Sequence, residues 1–201
     1  MKKIFLIGDS ICYGFGSGEN RHNGYGHYVE EKLKDRAVIC RPNDNCSFMQ
    51  YTLRYMHEWA AQRGGGEDID VLHWNNGLWD VLRLLGDEPL TSPEMYKELL
   101  VKTHRRARAV FPNAKIIFAL STPVTESMAR PDFFRRNEDI VLYNKLAVEI
   151  LEPLGVTIND LHTAASAIRA THYADWVHYN EEGSSILADH VIKAIESVIS
   201  L

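Results

Sequence analysis

No run of apolar residues in this chain approaches the ~20 needed to cross a bilayer. The first apolar run, Ile4–Ile7, follows Met1-Lys2-Lys3 and stops at Gly8. A secretory leader carries an apolar stretch of about 7–15 residues. The protein is therefore expected in the cytoplasm, with no membrane partner. Cysteine is scarce: Cys12, Cys40 and Cys46 are odd in number and show no C-x-x-C spacing. They are expected as reduced thiols, not as a disulfide framework. Strong charge of one sign is missing too. The chain has 22 Lys+Arg against 27 Asp+Glu, a net −5, which offers no basic surface for nucleic acid. There is no internal repeat and no low-complexity segment. What remains is an ordinary globular composition, 45% hydrophobic over 201 residues. A chain of that length fits one domain, 1–201, able to bury roughly 70% of its unfolded surface.

Short apolar runs alternate with longer amphipathic patterns. Strands are expected at Lys3–Ile7, Ala37–Cys40, Ile69–Trp74, Lys115–Leu120 and Val156–Ile158. Helices are expected between them: from Tyr28 to about Arg36, from a Ser47 cap to Ala61, from Ser92-Pro93-Glu94 to about Val110, at Glu138–Leu151 and at Glu181–Ile199. This alternation calls for a three-layer α/β/α sandwich around a five-stranded parallel sheet. Ligands of such sheets bind beyond the C-terminal strand ends. Those positions hold Gly8-Asp9-Ser10, Asn43-Asp44-Asn45-Cys46-Ser47, Asn75-Asn76-Gly77-Leu78-Trp79-Asp80 and Ser121-Thr122-Pro123, with Asp175-Trp176-Val177-His178 ahead of the last helix.

Ser10, Asp175 and His178 suggest nucleophilic chemistry. A serine hydroxyl needs an adjacent base, and the base needs a group that orients it. An Asp three residues before a His can hold one imidazole nitrogen while the other faces the serine. Gly-Asp-Ser alone is a common turn and Asp-x-x-His alone is commonplace. Their joint placement, at the first strand end and before the last helix, is far more specific.

On Phe5–Ser10, Asn75–Asp80 and Asp175–Gly183 the chain resembles the SGNH hydrolases, the GDSL-type esterases and lipases. The resemblance implies a flavodoxin-like α/β/α fold. It also implies a serine esterase in which Ser10 attacks an acyl carbonyl, His178 is the base and Asp175 orients it. It further implies an oxyanion hole of three donors: the Ser10 N–H, the N–H of a Gly after strand two, and an Asn side chain in a Gly-x-Asn-Asp block. This chain departs twice. Asn45 is the best match at the second block, with Cys46 as the competing alignment. Trp79 stands at the Asn of the third block, leaving its indole N–H, or the amides of Asn75 or Asn76 just upstream, to serve instead. Asp9, Cys46, Gly77 and Trp176 complete the expected pocket, although capping or bracing is the plainer reading of Asp9 and of Asp80. The short chain and the lack of an apolar lid segment tilt the expected substrate towards a small-molecule ester of a short acyl group, with acetyl esters of carbohydrates among the options. No cofactor or metal is expected. A non-catalytic binding domain with a degraded oxyanion hole is the alternative, motivated by Trp79.

Other signals weigh less. Gly14-Phe15-Gly16-Ser17-Gly18 has the wrong spacing for a dinucleotide loop and reads as a mobile border of the cleft. His22 and His27 within the glycine-rich stretch read as solvated. His172 and His178 flank Asp175, but no third ligand cluster accompanies them. Arg130, Arg135 and Arg136 follow the fourth strand in a loop that can cover the cleft, where anion recognition is one option.

Overall fold

The computed structural model describes residues 1–201. Five strands form the central sheet: β1 Lys2–Ile7, β2 Ala37–Cys40, β3 Val71–Trp74, β4 Lys115–Ala119 and β5 Thr157–Asn159. All neighbours are parallel and the order is β2-β1-β3-β4-β5. Register pairs Ile4 with Ile39, Ile7 with Trp74, Trp74 with Phe118 and Ala119 with Asn159. Seven helices accompany them: α1 Ser10–Tyr13, α2 Tyr25–Leu33, α3 Met49–Ala61, α4 Pro93–Val110, α5 Asn137–Leu151, α6 Leu161–Ser166 and α7 Glu181–Glu196. α2 packs on α7, and α6 also meets α7, while α3 packs on α4 and α4 on α5. The sheet is thus covered on both faces. That explains the unbroken apolar run Ile4–Ile7, every residue of it buried. One hydrophobic cluster extends from Ile4 to Ile195, so both ends of the chain share a core.

Local chemistry accounts for the main helices. In α4, Ser92 Oγ accepts from the Met95 N–H at 3.3 Å and Pro93 takes the first turn, where a missing N–H costs nothing. In α7, Asn180 Oδ1 accepts from the Gly183 N–H at 3.0 Å, and Leu187, Ala188, Val191, Ile192 and Ile195 form its buried stripe. The expected Ser47 cap is not made. Ser47 has a left-handed backbone, φ 44°, and its own N–H donates to Asn45 Oδ1, which starts α3 later, at Met49. The carboxylate of Asp80 accepts the Met49 N–H instead, at 3.2 Å from both oxygens. The same carboxylate accepts the Thr91 hydroxyl at 2.9 Å, so Asp80 ties the start of α3 to the segment that leads into α4. The remaining expected elements stand with ends that coincide or shift by at most three residues. α6 is an addition, capped by Asp160 accepting from the Thr163 N–H. So are two short antiparallel ribbons, Gly14–Phe15 with His22–Asn23 and Arg83–Leu84 with Phe133–Phe134.

Two outcomes follow. Phe5 is fully buried in β1 and its ring lies 5.1 Å from that of Phe111. Phe5→Ala is expected to cost about 3–5 kcal/mol in urea unfolding. Burial raises the Asp80 carboxyl to about 7, against the pull of the Thr91 and Met49 hydrogen bonds. A carboxyl raised on folding contributes stability that is complete below its unfolded value near 4 and is lost as pH rises through about 7. The unfolding midpoint of Asp80→Asn should therefore fall less than that of the unaltered protein between pH 4.5 and pH 7.5.

Candidate active site

In the order β2-β1-β3-β4, the chain leaves β1 towards one edge and β3 towards the other, and a crevice opens between the C-terminal ends of β1 and β3. Ser10 follows β1 directly and begins α1. Asp9 caps this short helix, its Oδ1 accepting the Ile11 N–H at 2.9 Å. The cap holds the turn tight and leaves Ser10 at the mouth of the crevice, 9% exposed.

The segment ahead of α7 arrives at the same place. His178 Nε2 lies 2.8 Å from Ser10 Oγ, and His178 Nδ1 lies 2.7 Å from Asp175 Oδ2. Asp175 Oδ1 also accepts the backbone N–H groups of Val177 and His178, each at 2.7 Å. Burial by itself would raise the Asp175 carboxyl. The donors from the His178 ring and from the two backbone amides outweigh it and bring the group down to about 2. A carboxylate facing Nδ1 assigns the proton to that nitrogen and leaves Nε2 as acceptor for the serine hydroxyl. Phe15 stacks on the His178 ring at 4.1 Å and 13°, and His22 stacks behind Phe15 at 4.7 Å. The glycine-rich stretch is therefore a ribbon packed on the imidazole, and His22 is part of that stack and not free in solvent. The sequence marks no role for Phe15 beyond its place in the glycine-rich stretch, because its partner His178 lies 163 positions away.

The other expected residues divide. The Asn45 N–H has no acceptor within the protein, while its side chain turns back to the Ser47 N–H. The Cys46 N–H is spent on Gly8 O at 3.1 Å and its thiol is buried, so Cys46 belongs to the core and not to the pocket wall. Asn75 and Asn76 are also structural. Asn75 Nδ2 donates to Ala119 O at 2.9 Å, tying β3 to β4. Asn76 Nδ2 donates to Ser47 O at 2.8 Å, and its Oδ1 accepts from the Trp74 indole at 2.7 Å. Gly77 has φ 148°, and a Cβ there would collide with Ser121 Oγ; it shapes the loop and offers the pocket no side chain. Trp79 and Trp176 are half-buried, and neither indole N–H is hydrogen-bonded within the protein. Asp9 stays beneath Ser10 with Oδ2 unpartnered, and burial raises its carboxyl to about 6.

Arg135 joins the site from the loop before α5. It is 4% exposed, and its guanidinium carbon lies 5.6 Å from the Trp79 ring, 5.3 Å from Trp176 and 5.8 Å from Phe133. Its Nε donates to Leu78 O. In the sequence it was one of several arginines in a loop, and only folding sets it apart from the exposed Arg130 and Arg136.

The arrangement can deprotonate a hydroxyl and direct it at an electrophile lodged among aromatic walls. Residues 6–186 match the family model described as GDSL-like lipase/acylhydrolase. No curated protein matches the chain. Among solved structures, a lipase/acylhydrolase from Enterococcus faecalis superposes with TM-score 0.73 at 18% identity, covering 98% of this chain and 96% of its own. An acetyl xylan esterase superposes with TM-score 0.73 at 18% identity, over 96% of this chain and 99% of its own. Another, from Geobacillus stearothermophilus, gives TM-score 0.70 at 20% identity, over 100% and 97%. At such identities these likenesses speak for the fold, while the family match reaches the activity. This chain belongs to the GDSL-like lipase/acylhydrolase family and is a carboxylic ester hydrolase.

Proposed function

We propose that the protein hydrolyses carboxylic esters of short acyl groups through Ser10, His178 and Asp175, with acetyl esters of carbohydrates as the substrate class. The observation that carries this reading is the unbroken chain of contacts from Ser10 Oγ to His178 Nε2 at 2.8 Å and from His178 Nδ1 to Asp175 at 2.7 Å. His178 takes the hydroxyl proton as Ser10 Oγ attacks the acyl carbonyl. The tetrahedral intermediate collapses, His178 protonates the departing alcohol, and an acyl-enzyme remains. Water then gives a proton to the same nitrogen and attacks the acyl-enzyme, releasing the acid and restoring Ser10. The Asp175 carboxylate holds the ring in one tautomer and offsets the charge of the transient imidazolium.

The N–H of Ser10, first in its helix, has no carbonyl within α1 to bond. With the unspent Asn45 N–H it supplies two backbone donors for the developing oxyanion. Trp79, Trp176 and Phe133 wall the crevice, and flat aromatic faces suit the apolar faces of sugar rings. The names of two of the structural neighbours, acetyl xylan esterases, point in the same direction.

Purified protein should hydrolyse p-nitrophenyl acetate faster than the butyrate and octanoate esters, and should release acetate from acetylated xylan or acetylated monosaccharides. Ser10→Ala is expected to lower kcat about a millionfold. Asp175→Asn, which favours the wrong tautomer, should lower kcat about ten-thousandfold with the unfolding midpoint little changed. A fluorophosphonate probe should label Ser10 covalently. Equal turnover by the unaltered protein and Ser10→Ala would overturn the reading.

A further inference from the structure

Arg135 is a cation without an anion. Its side chain lies inside the protein, yet no carboxylate stands within ion-pair distance of it. Its one hydrogen bond within the protein runs from Nε to Leu78 O, while Nη1 and Nη2 have no protein acceptor and are not sealed from solvent, so a ligand oxygen can reach them. A guanidinium this largely buried and without a paired carboxylate is completed most favourably by an anionic oxygen at its free Nη groups. Three aromatic rings hold it: Trp79 from the loop after β3, Trp176 from the segment between Asp175 and His178, and Phe133 from its own loop. It is thus wedged between the two segments that build the crevice. Its charge acts on Asp9, next to Ser10, and on Asp175. Burial pulls its pKa down to about 10, which leaves it protonated at neutral pH.

We infer that Arg135 is the third oxyanion donor of this site, its Nη groups receiving the anionic oxygen that forms on the acyl carbon. The inference rests on the esterase reading above. The two amides upstream are held in the framework, since Asn75 and Asn76 each give one Nδ2 hydrogen to a backbone carbonyl, and Trp79 carries a single N–H where the guanidinium offers a fork. When Ser10 Oγ bonds to the carbonyl carbon, the C=O π pair moves onto oxygen. The guanidinium donates hydrogen bonds to that oxygen and loses no proton. When the C–O bond to the alcohol breaks, the pair returns and the contact weakens. A fork fixed by three rings suits this role, because it needs little reorganisation as charge develops. Its depth favours a single oxygen at the reacting centre over a carboxylate held at the rim of the crevice.

The test measures kcat and KM separately on p-nitrophenyl acetate, a neutral ester whose only anionic oxygen on attack arises at the acyl carbon. Arg135→Met should lower kcat about 100–1000-fold with KM within a few-fold. Arg135→Lys should lose less, and millimolar guanidinium should restore part of the turnover of Arg135→Met but not of Ser10→Ala. Arg130→Ala, at an exposed ion pair, should behave as the unaltered protein. If Arg135→Met fails to fold, the Arg135→Lys kcat with KM unchanged decides the matter. An unchanged kcat in both variants would overturn the inference while leaving the esterase reading intact. So would a loss confined to KM for an ester carrying a carboxylate, such as mono-p-nitrophenyl succinate. If the unaltered protein hydrolyses no faster than Ser10→Ala, the esterase reading falls and takes the inference with it.

Discussion

The 2.8 Å contact between Ser10 Oγ and His178 Nε2 is the interaction on which the rest of the site depends. It joins residues 168 positions apart, so no local preference of the chain can create it. Two packing features do. β1 lies inside the sheet with β2 and β3 on either side, which fixes Ser10 at its C-terminal end. α7 packs its apolar stripe against α2 and the core, which fixes the end of the segment carrying Asp175 and His178. The remaining freedom of the imidazole is removed from both sides, by Asp175 at Nδ1 and by the Phe15 ring on its face.

The three buried or half-buried carboxyls around this contact behave differently. Burial raises all of them, and the depth of burial, the donors and the neighbouring charges together decide the result. Asp175 accepts from two backbone amides and the His178 ring and is held at about 2. Asp9 has one donor and an unpartnered oxygen and rises to about 6. Asp80 is donated to by Thr91 and Met49 and still rises to about 7, because it is fully buried and feels the charge of Asp9. The carboxylate beside the imidazole is the half-buried one and the one with the most donors. Asp9 and Asp80 act as cap and brace.

Trp79 stands where an amide side chain was expected, and the change propagates. An indole fills the space, and with Trp176 and Phe133 it forms a cage of rings around Arg135. An aromatic cage tolerates a cation that an aliphatic pocket would reject, since ring faces carry negative potential. Nearby amides are drawn into the scaffold: Asn75 bridges two strands, and Asn76 links the Trp74 indole to the Ser47 carbonyl.

The alternation of short apolar runs with amphipathic stretches determined the parallel sheet by itself, because both faces of each strand must be covered. Caps written in local chemistry, such as Ser92-Pro93 and Asn180, were legible for the same reason: donor and acceptor lie within one turn. Ser10, Asp175 and His178 could be named from their place at strand and helix ends. Beyond that, distance along the chain hides the answer. Tertiary structure replaced the Ser47 cap with Asp80, 31 positions from Met49. It withdrew Cys46, Asn75 and Asn76 into the framework and laid Phe15 on the imidazole. It also chose Arg135 from several loop arginines by burying it among rings from three segments. Hydrogen-bond partners and burial arise only once separate segments meet, and no residue carries them alone.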